Sequence, residues 1–179
     1  MGPISWKVDD GAVEWASLAK AAARTTVALA TAARLRDHAR FTHGAMAMAQ
    51  VKGEFDVKRT PEGGFDLGGG GVAGHFRFDK QFHGALDATS VVHMLAVGTP
   101  VDGSAAYVAV ERIDGTLDGL RGAFMTQHSG TLDRGAPTLT VTVVPDSGTG
   151  ELEGLSGRMH IDILEGKHYY TFDFEIAEG

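Results

Sequence analysis

A glutamate and a histidine on two neighbouring predicted strands are the residues best suited to chemistry in this sequence. Glu111 lies near the end of the alternating run Ala106–Arg112, and His128 lies in the run after the glycine-rich turn Gly115–Gly122. If the two runs pair about this turn, the two side chains come within about 5 Å, one inter-strand spacing. A carboxylate and an imidazole that meet in a cavity can exchange protons with a bound molecule. Glu111 and His128 are therefore the predicted general acid–base pair.

Tyr107 extends this candidate site, because alternation places it on the same strand face as Glu111, four residues away. We expect its hydroxyl to donate to an anionic intermediate. We also expect burial in an apolar lumen to raise the pKa of the Glu111 carboxyl towards neutrality. The alternative is that Glu111 pairs with Arg112 or Arg121 on the surface and His128 caps a turn. Tyr107 would then be a packing residue with a solvent-exposed hydroxyl.

A further set of residues is predicted to line a ligand site inside the protein. These ligand-binding candidates are Phe76, Phe78, Gln127, Tyr170 and Phe172. Gln127 and His128 point to opposite faces of one strand, so at most one of them faces the interior.

No metal site is predicted, because the eight histidines show no H-x-H or H-E-x-x-H spacing. The run Gly68–Gly71 lacks the Lys-Ser/Thr pair and the helix of a phosphate-binding loop. We therefore expect no cofactor.

Strands must position these side chains, and the sequence predicts eight of them between about Gln50 and Ile176. Apolar and polar residues alternate through most of this region, as in half-buried strands. Most strands are joined by tight reversals, so neighbours run antiparallel, and closure into a barrel removes the free edges. The predicted fold is an all-β, eight-stranded antiparallel barrel over residues 50–179. The residues predicted to face its buried side are Phe55, Phe76, Phe78, Val141, Ile161, Phe172 and Phe174.

Two glycine-rich features give further expectations about the connections. The turn string GTLDGLRG at Gly115–Gly122 recurs 35 residues later as GELEGLSG at Gly150–Gly157. We expect both to form the same hairpin. The segment Thr60–Gly71 contains Pro61 and six glycines, which is typical of a long flexible loop near a mouth.

Residues 1–49 are predicted to form a separate N-terminal extension. Residues 12–41 contain no Gly or Pro and are rich in Ala, which favours an α-helix. Its narrow apolar stripe, expected to dock on a barrel mouth or a neighbouring subunit, includes Trp15, Leu18 and Leu29. One alternative is a leader with an A-x-A cleavage match at 47–49. Another is a native start at Met46 or Met48, with the helix as upstream sequence.

Charge and composition exclude several classes of protein. Residues 1–49 carry six Lys/Arg against four Asp/Glu, a charge of +2, and the remainder carries ten against nineteen, a charge of −9. This acidic body argues against a nucleic-acid partner. No apolar run approaches the roughly 18 residues of a membrane-spanning helix, so we expect no membrane partner and a cytoplasmic location. With no cysteine, the chain has neither disulfides nor thiol nucleophiles.

Five short strings in a fixed order point to a known family. They are GEFDVK at 53–58, YVAVER at 107–112, QHSGT at 127–131, VPDSGTG at 144–150 and KHYYTF at 167–172. Together they closely resemble the bacterial family called domain of unknown function 3224, over about residues 50–177. The resemblance implies an eight-stranded antiparallel barrel similar to allene oxide cyclases and dirigent proteins. It implies no reaction, because a fold does not fix a function.

Three functional classes follow from a barrel of this size. In the first, the lumen binds a small apolar molecule. In the second, the same cavity acts as a cofactor-independent isomerase or cyclase, by analogy with allene oxide cyclases. In the third, the barrel is filled by its own phenylalanines and serves as a structural protein. In each case we expect a homo-oligomer.

Overall fold

Eight strands close into one barrel in the computed structural model, which describes residues 48–69 and 71–177. Each strand pairs antiparallel with its neighbours in chain order, and β8 pairs with β1. The strands are β1 (Ala49–Gly68), β2 (Gly71–Gly84), β3 (Leu86–Gly98), β4 (Ala105–Leu117), β5 (Leu120–Asp133), β6 (Ala136–Val143), β7 (Leu155–Leu164) and β8 (Lys167–Ile176), and a 3₁₀ turn at Gly150–Leu152 precedes β7. The predicted all-β, eight-stranded antiparallel barrel is confirmed. The predicted N-terminal helix lies outside the described residues.

Alternation of side chains determines which residues fill the barrel. On β3, every second residue from Leu86 to Ala96 is buried, and the residues between them are exposed or half-buried. Of the seven residues predicted to face inward, four are buried and the other three, Phe76, Phe78 and Ile161, are half-buried. The register of the inward face therefore agrees with the sequence prediction. No helix among the described residues is long and apolar enough to cross a membrane.

The lower end of the barrel is the end that carries the β2–β3 and β4–β5 hairpins, and apolar side chains fill it. Phe82, Phe124 and Phe172 are fully buried there, and the rings of Phe124 and Phe172 stack with centroids 5.7 Å apart. Burial of each aromatic side chain contributes roughly 1.5–3 kcal/mol. The lower half is therefore the stability core.

The repeated turn string adopts two different structures, so the prediction of two equal hairpins is wrong. In Gly115–Gly122 the chain reverses at Asp118 and Gly119, whose φ values of 49° and 89° are those of a tight type I′ turn. Gly150–Gly157 instead contains the 3₁₀ turn and the first residues of β7. Both copies bury their first leucine completely, Leu117 and Leu152. The difference is tertiary, because the second copy is bonded to β5, where the Arg121 amide donates to Glu151 and the Ala123 amide donates to Thr149.

The predicted loop Thr60–Gly71 is also wrong over most of its length. Strand β1 continues to Gly68 and pairs with β2 as an exposed two-stranded ribbon. The pairing register shifts just after Pro61, whose ring nitrogen has no hydrogen to donate to the ladder. Glycine and proline therefore mark irregularities within the ribbon here and do not end the strand.

One seam in the barrel wall is much less paired than the others. Strands β6 and β7 pair only at Val141 with Met159 and at Thr142 with Arg158. Each strand pairs along its whole length with its other neighbour, β6 with β5 and β7 with β8. Above the two pairs, the segments 136–140 and 160–164 therefore face each other with no ladder between them in the described structure. We call this gap the β6–β7 seam.

Candidate functional site

A cavity of about 330 Å³ lies in the upper half of the barrel. Its walls are mainly apolar and include Phe55, Val57, Phe78, Val92, Met94 and Ala109. Lys80 and His128 also line it, and they lie at its lower end, next to the filled core. A largely apolar cleft with a few convergent polar groups, in the range of about 300–1,000 Å³, is typical of small-molecule sites.

Lys80 and His128 form the floor of the cavity. Glu111 lies directly beneath this floor and is completely buried, at 0% exposure. The Lys80 ammonium donates a hydrogen bond from Nζ to Oε2 at 3.0 Å, and His128 Nε2 lies 2.9 Å from the same oxygen. The Ser90 hydroxyl donates to Oε1. Glu111 is opposite Thr126 in the β4–β5 ladder, so His128 is its diagonal neighbour on the same face. The structure therefore brings Glu111 and His128 into direct contact.

The neighbours of Glu111 keep its carboxyl ionised. Burial raises the carboxyl pKa, but the Lys80 charge, His128 and the Ser90 hydrogen bond together outweigh burial and lower the pKa to about 2. The prediction that burial raises the pKa of the Glu111 carboxyl towards neutrality is therefore wrong. The lumen contains the positive charge of Lys80 as well as apolar side chains, and this charge lowers the pKa. The alternative in which Glu111 pairs with Arg112 or Arg121 on the surface is also wrong, because Glu111 is buried and both arginines contact Asp114. At neutral pH Glu111 can orient and balance charge, and it has no proton to donate.

The contact with Glu111 fixes which nitrogen of His128 carries the proton. A carboxylate only accepts hydrogen bonds, so Nε2 must be the protonated nitrogen, an assignment made from the network. In the neutral ring, Nδ1 is then the basic nitrogen. Since His128 lines the cavity and Glu111 does not, His128 is the residue that can take a proton from a bound molecule.

Lys80 is the functional candidate that sequence reasoning missed. Its side chain is 7% exposed, and its Nζ lies 4.9 Å from the ring centroid of Phe55 and 5.6 Å from that of Phe82. A cation above aromatic faces is stabilised by the ring quadrupoles. The signal was present in the sequence, because Lys80 stands between Phe78 and Phe82 at the inward positions of an alternating strand.

Tyr107 lines the cavity beside the floor and is half-buried. Burial, helped by the negative charge of Glu111, raises the pKa of its hydroxyl to about 12, so the hydroxyl stays protonated at neutral pH. Its ring covers Gly130, the residue opposite it on β5, where an added Cβ would collide with the ring. A glycine under an aromatic ring is a known way to seat the ring against a strand. Gly130 therefore positions Tyr107.

The five predicted ligand-binding residues occupy four different places. Phe78 lines the cavity, and Phe76 lies above it with the Arg59 guanidinium 5.0 Å from its ring centroid. Tyr170 and Phe172 are fully buried in the lower core and do not line the cavity. Gln127 is exposed on the outer face, because the lumen position belongs to His128. Alternation predicts on which face of a strand a side chain lies. It gives no information on how high along the barrel axis that side chain lies.

Tyr170 has a structural role that explains its burial. Its hydroxyl donates to the carbonyl oxygen of His83 at 3.1 Å and accepts from the Leu86 amide, also at 3.1 Å. These bonds tie β8 to the β2–β3 turn. Within the part of the chain that the structure describes, no group of three or more His, Asp or Glu side chains is arranged to hold a metal ion.

Comparisons with known proteins identify the family. The family model described as protein of unknown function (DUF3224) matches residues 51–174. A crystal structure of a protein of unknown function from the DUF3224 family of Shewanella oneidensis MR-1 is 45% identical, with a TM-score of 0.69, and the match covers 74% of this chain and all of that one. A search of curated proteins found no match. The predicted family resemblance is confirmed, and the chain belongs to the DUF3224 family.

Proposed function

We propose that the barrel binds a small, mainly apolar molecule in its upper lumen, with an oxygen atom of that molecule held by Lys80, beside His128. The observation that carries this proposal is the combination of an apolar cavity of about 330 Å³ with a polar floor. A buried ion pair costs desolvation free energy that an apolar core does not. A functional use accounts for a lysine and a carboxylate beneath an apolar cavity, where packing alone does not.

The floor has donors to spare for a ligand. An ammonium group has three N–H donors, and Glu111 accepts one of those of Lys80. Lys80 also faces the cavity, so a second N–H can be donated to a carbonyl, carboxylate or hydroxyl oxygen of the ligand. The apolar walls bind the remainder of the molecule through the hydrophobic effect. The ligand class is therefore an apolar molecule with one oxygen-bearing end.

A second function, cofactor-independent isomerisation, is favoured by the Glu111–His128 contact. In this scheme His128 removes a proton from a carbon next to the ligand carbonyl, and the electron pair moves onto the carbonyl oxygen. Lys80 and the Tyr107 hydroxyl donate to the oxyanion that forms. His128 then returns the proton to the far carbon of a double bond conjugated with the enolate, while the electron pair moves back from the oxygen and the carbonyl re-forms, so atoms and electrons balance without a cofactor. Glu111 stabilises the transient imidazolium.

The binding proposal is tested by a substitution that fills the cavity without touching the core. Ala109 lines the cavity, and its neighbour Val108 points outward at 58% exposure. The probe is 1-anilinonaphthalene-8-sulfonate, an apolar anion that fluoresces when it leaves water. We expect Ala109→Trp to abolish probe binding and Val108→Trp to retain it, with near-UV circular dichroism confirming that both variants are folded. Equal binding by the two variants, or no binding by the wild type, would favour the structural barrel with no ligand.

A further inference from the structure

The β6–β7 seam and the cavity are continuous. The cavity lining includes the inward-facing residues Leu139, Ile161 and Ile163 on the two strands that border the seam. It also includes Thr138, His160 and Asp162, which alternate with them and therefore face outward. In a fully paired wall, a lumen cavity touches only the inward set. A cavity lined by both sets passes through the wall at this seam.

The chemistry of the seam is mainly apolar, with a charged outer edge. Leu139 on β6 and Leu164 on β7 are 40% and 49% exposed, and both line the cavity. On the outer edge, His160 Nε2 lies 3.2 Å from Asp162 Oδ1. An exposed apolar strip with a polar rim marks a site where apolar ligands bind. Here the strip leads directly into the lumen.

The position of the seam relative to the polar floor limits the shape of the ligand. Lys80 Nζ and His128 Nε2 both contact Glu111 Oε2, and His128 pairs with Val141, so the floor lies level with the lower end of the seam. On β7 the seam extends from Met159, the partner of Val141, up to Leu164, which is about 16 Å along the strand. A molecule that contacts both the floor and the upper end of the seam must therefore be elongated.

We propose that the ligand enters the lumen sideways through the β6–β7 seam and is an elongated apolar molecule. Its oxygen-bearing end reaches Lys80 and His128, and its tail lies in the seam between Leu139 and Ile163. This inference rests on the proposed ligand-binding function. It adds the route of entry and the chain-like shape of the ligand, which the volume and polarity of the cavity do not specify.

The first test narrows the seam from outside. Thr138 and Thr89 are both exposed threonines on outer strand faces, but only Thr138 lines the cavity. The probe is cis-parinaric acid, an elongated polyene carboxylic acid whose fluorescence rises in apolar sites, and binding is followed by stopped flow. We expect Thr138→Phe to slow both association and dissociation by about tenfold, and Thr89→Phe to leave both rates unchanged. Equal rates for wild type and Thr138→Phe would overturn the sideways route.

A second test closes the seam reversibly. Continuing the ladder beyond Thr142 and Arg158 places Thr140 opposite His160, so the variant Thr140→Cys with His160→Cys can join the two strands by a disulfide. The natural chain has no cysteine that could interfere. The control joins a paired wall, Lys52→Cys with Thr171→Cys on β1 and β8. Disulfide formation is verified by intact mass and thiol titration.

The oxidised seam variant is expected to exchange the probe about tenfold more slowly than its reduced form, and the control is expected to show no such difference. Unchanged exchange through the oxidised seam would overturn the inference, and if this disulfide does not form, the Thr138→Phe comparison decides. Failure of the proposed function is distinct, because the wild type would then bind neither cis-parinaric acid nor 1-anilinonaphthalene-8-sulfonate. If the seam variants bind the probe at the wild-type rate, the ligand site exists and the ligand reaches it through another entrance.

Discussion

Lys80 and Glu111 form an ion pair inside the barrel, with 3.0 Å between Nζ and Oε2 and almost no solvent contact for either side chain. The two residues come from β2 and β4, so this pair ties together strands that are not neighbours in the sheet. Removal of one partner from a buried pair leaves an uncompensated charge, whereas removal of both does not. The pair therefore controls both stability and the polarity of the cavity floor.

Substitution of Lys80 tests the energetic side of this relationship. We expect Lys80→Met to lower the free energy of unfolding by about 3 kcal/mol, because Glu111 stays buried without its cation. Adding Glu111→Gln in the same chain should recover part of that loss. Lys58→Met, at an exposed position of β1, is the control and should change stability by less than about 0.5 kcal/mol. Urea denaturation measures all four proteins, and an equal small effect at Lys80 and Lys58 would contradict the ion pair.

The lowered pKa of Glu111 predicts a defined acid dependence. Its carboxyl has a pKa of about 2 in the folded state, against an ordinary value of 4.5. A carboxyl whose folded pKa is lowered stabilises the fold above its unfolded pKa, and that stabilisation is lost as the pH falls through the folded value. The loss should be on the order of 3 kcal/mol between pH 4.5 and about 2.

The reference for this experiment is the double variant Lys80→Met with Glu111→Gln, which contains neither buried charge. Other carboxyls titrate in both proteins, so the difference in unfolding free energy isolates Glu111. We expect this difference, wild type minus double variant, to fall as the pH is lowered from 4.5. A difference that stays constant or grows over this range would show that the Glu111 pKa is not lowered.

The packing of Tyr107 on Gly130 predicts a steric effect that a second substitution relieves. We expect Gly130→Ala to destabilise the barrel by about 1–3 kcal/mol, because the new methyl group collides with the Tyr107 ring. Adding Tyr107→Ala should remove this steric penalty. Gly98→Ala is the matched control, since an added Cβ there meets no atom within 4 Å. Thermal unfolding compares the variants, and equal melting temperatures for Gly130→Ala and Gly98→Ala would refute the positioning role.

Some features of the site were predictable because they depend on local chain geometry. A hairpin about a tight turn fixes which residues of its two arms are close, so the contact between Glu111 and His128 follows from residues 106–128. Strand alternation also predicts the inward faces of Phe55 and Phe78. These inferences require only the period of a strand and the position of a turn.

Other features depend on how distant strands meet, and alternation does not specify that. Lys80 reaches Glu111 from a strand that is not its neighbour, so the charge that lowers the Glu111 pKa could not be assigned from the hairpin alone. Phe172 faces inward as predicted, but its height places it in the filled core. The structure of the repeated turn string likewise depends on tertiary context, because its second copy is hydrogen-bonded to β5 through Glu151 and Thr149.

An anomalous difference map from crystals soaked with 12-bromododecanoic acid tests the position of the ligand. We expect the carboxylate within hydrogen-bond distance of Lys80 Nζ. We expect a bromine peak at the β6–β7 seam, near Leu139 and Ile163. A bromine peak outside the barrel wall, or a lumen that stays empty under soaking conditions in which the same acid displaces cis-parinaric acid in solution, would overturn the proposed ligand site.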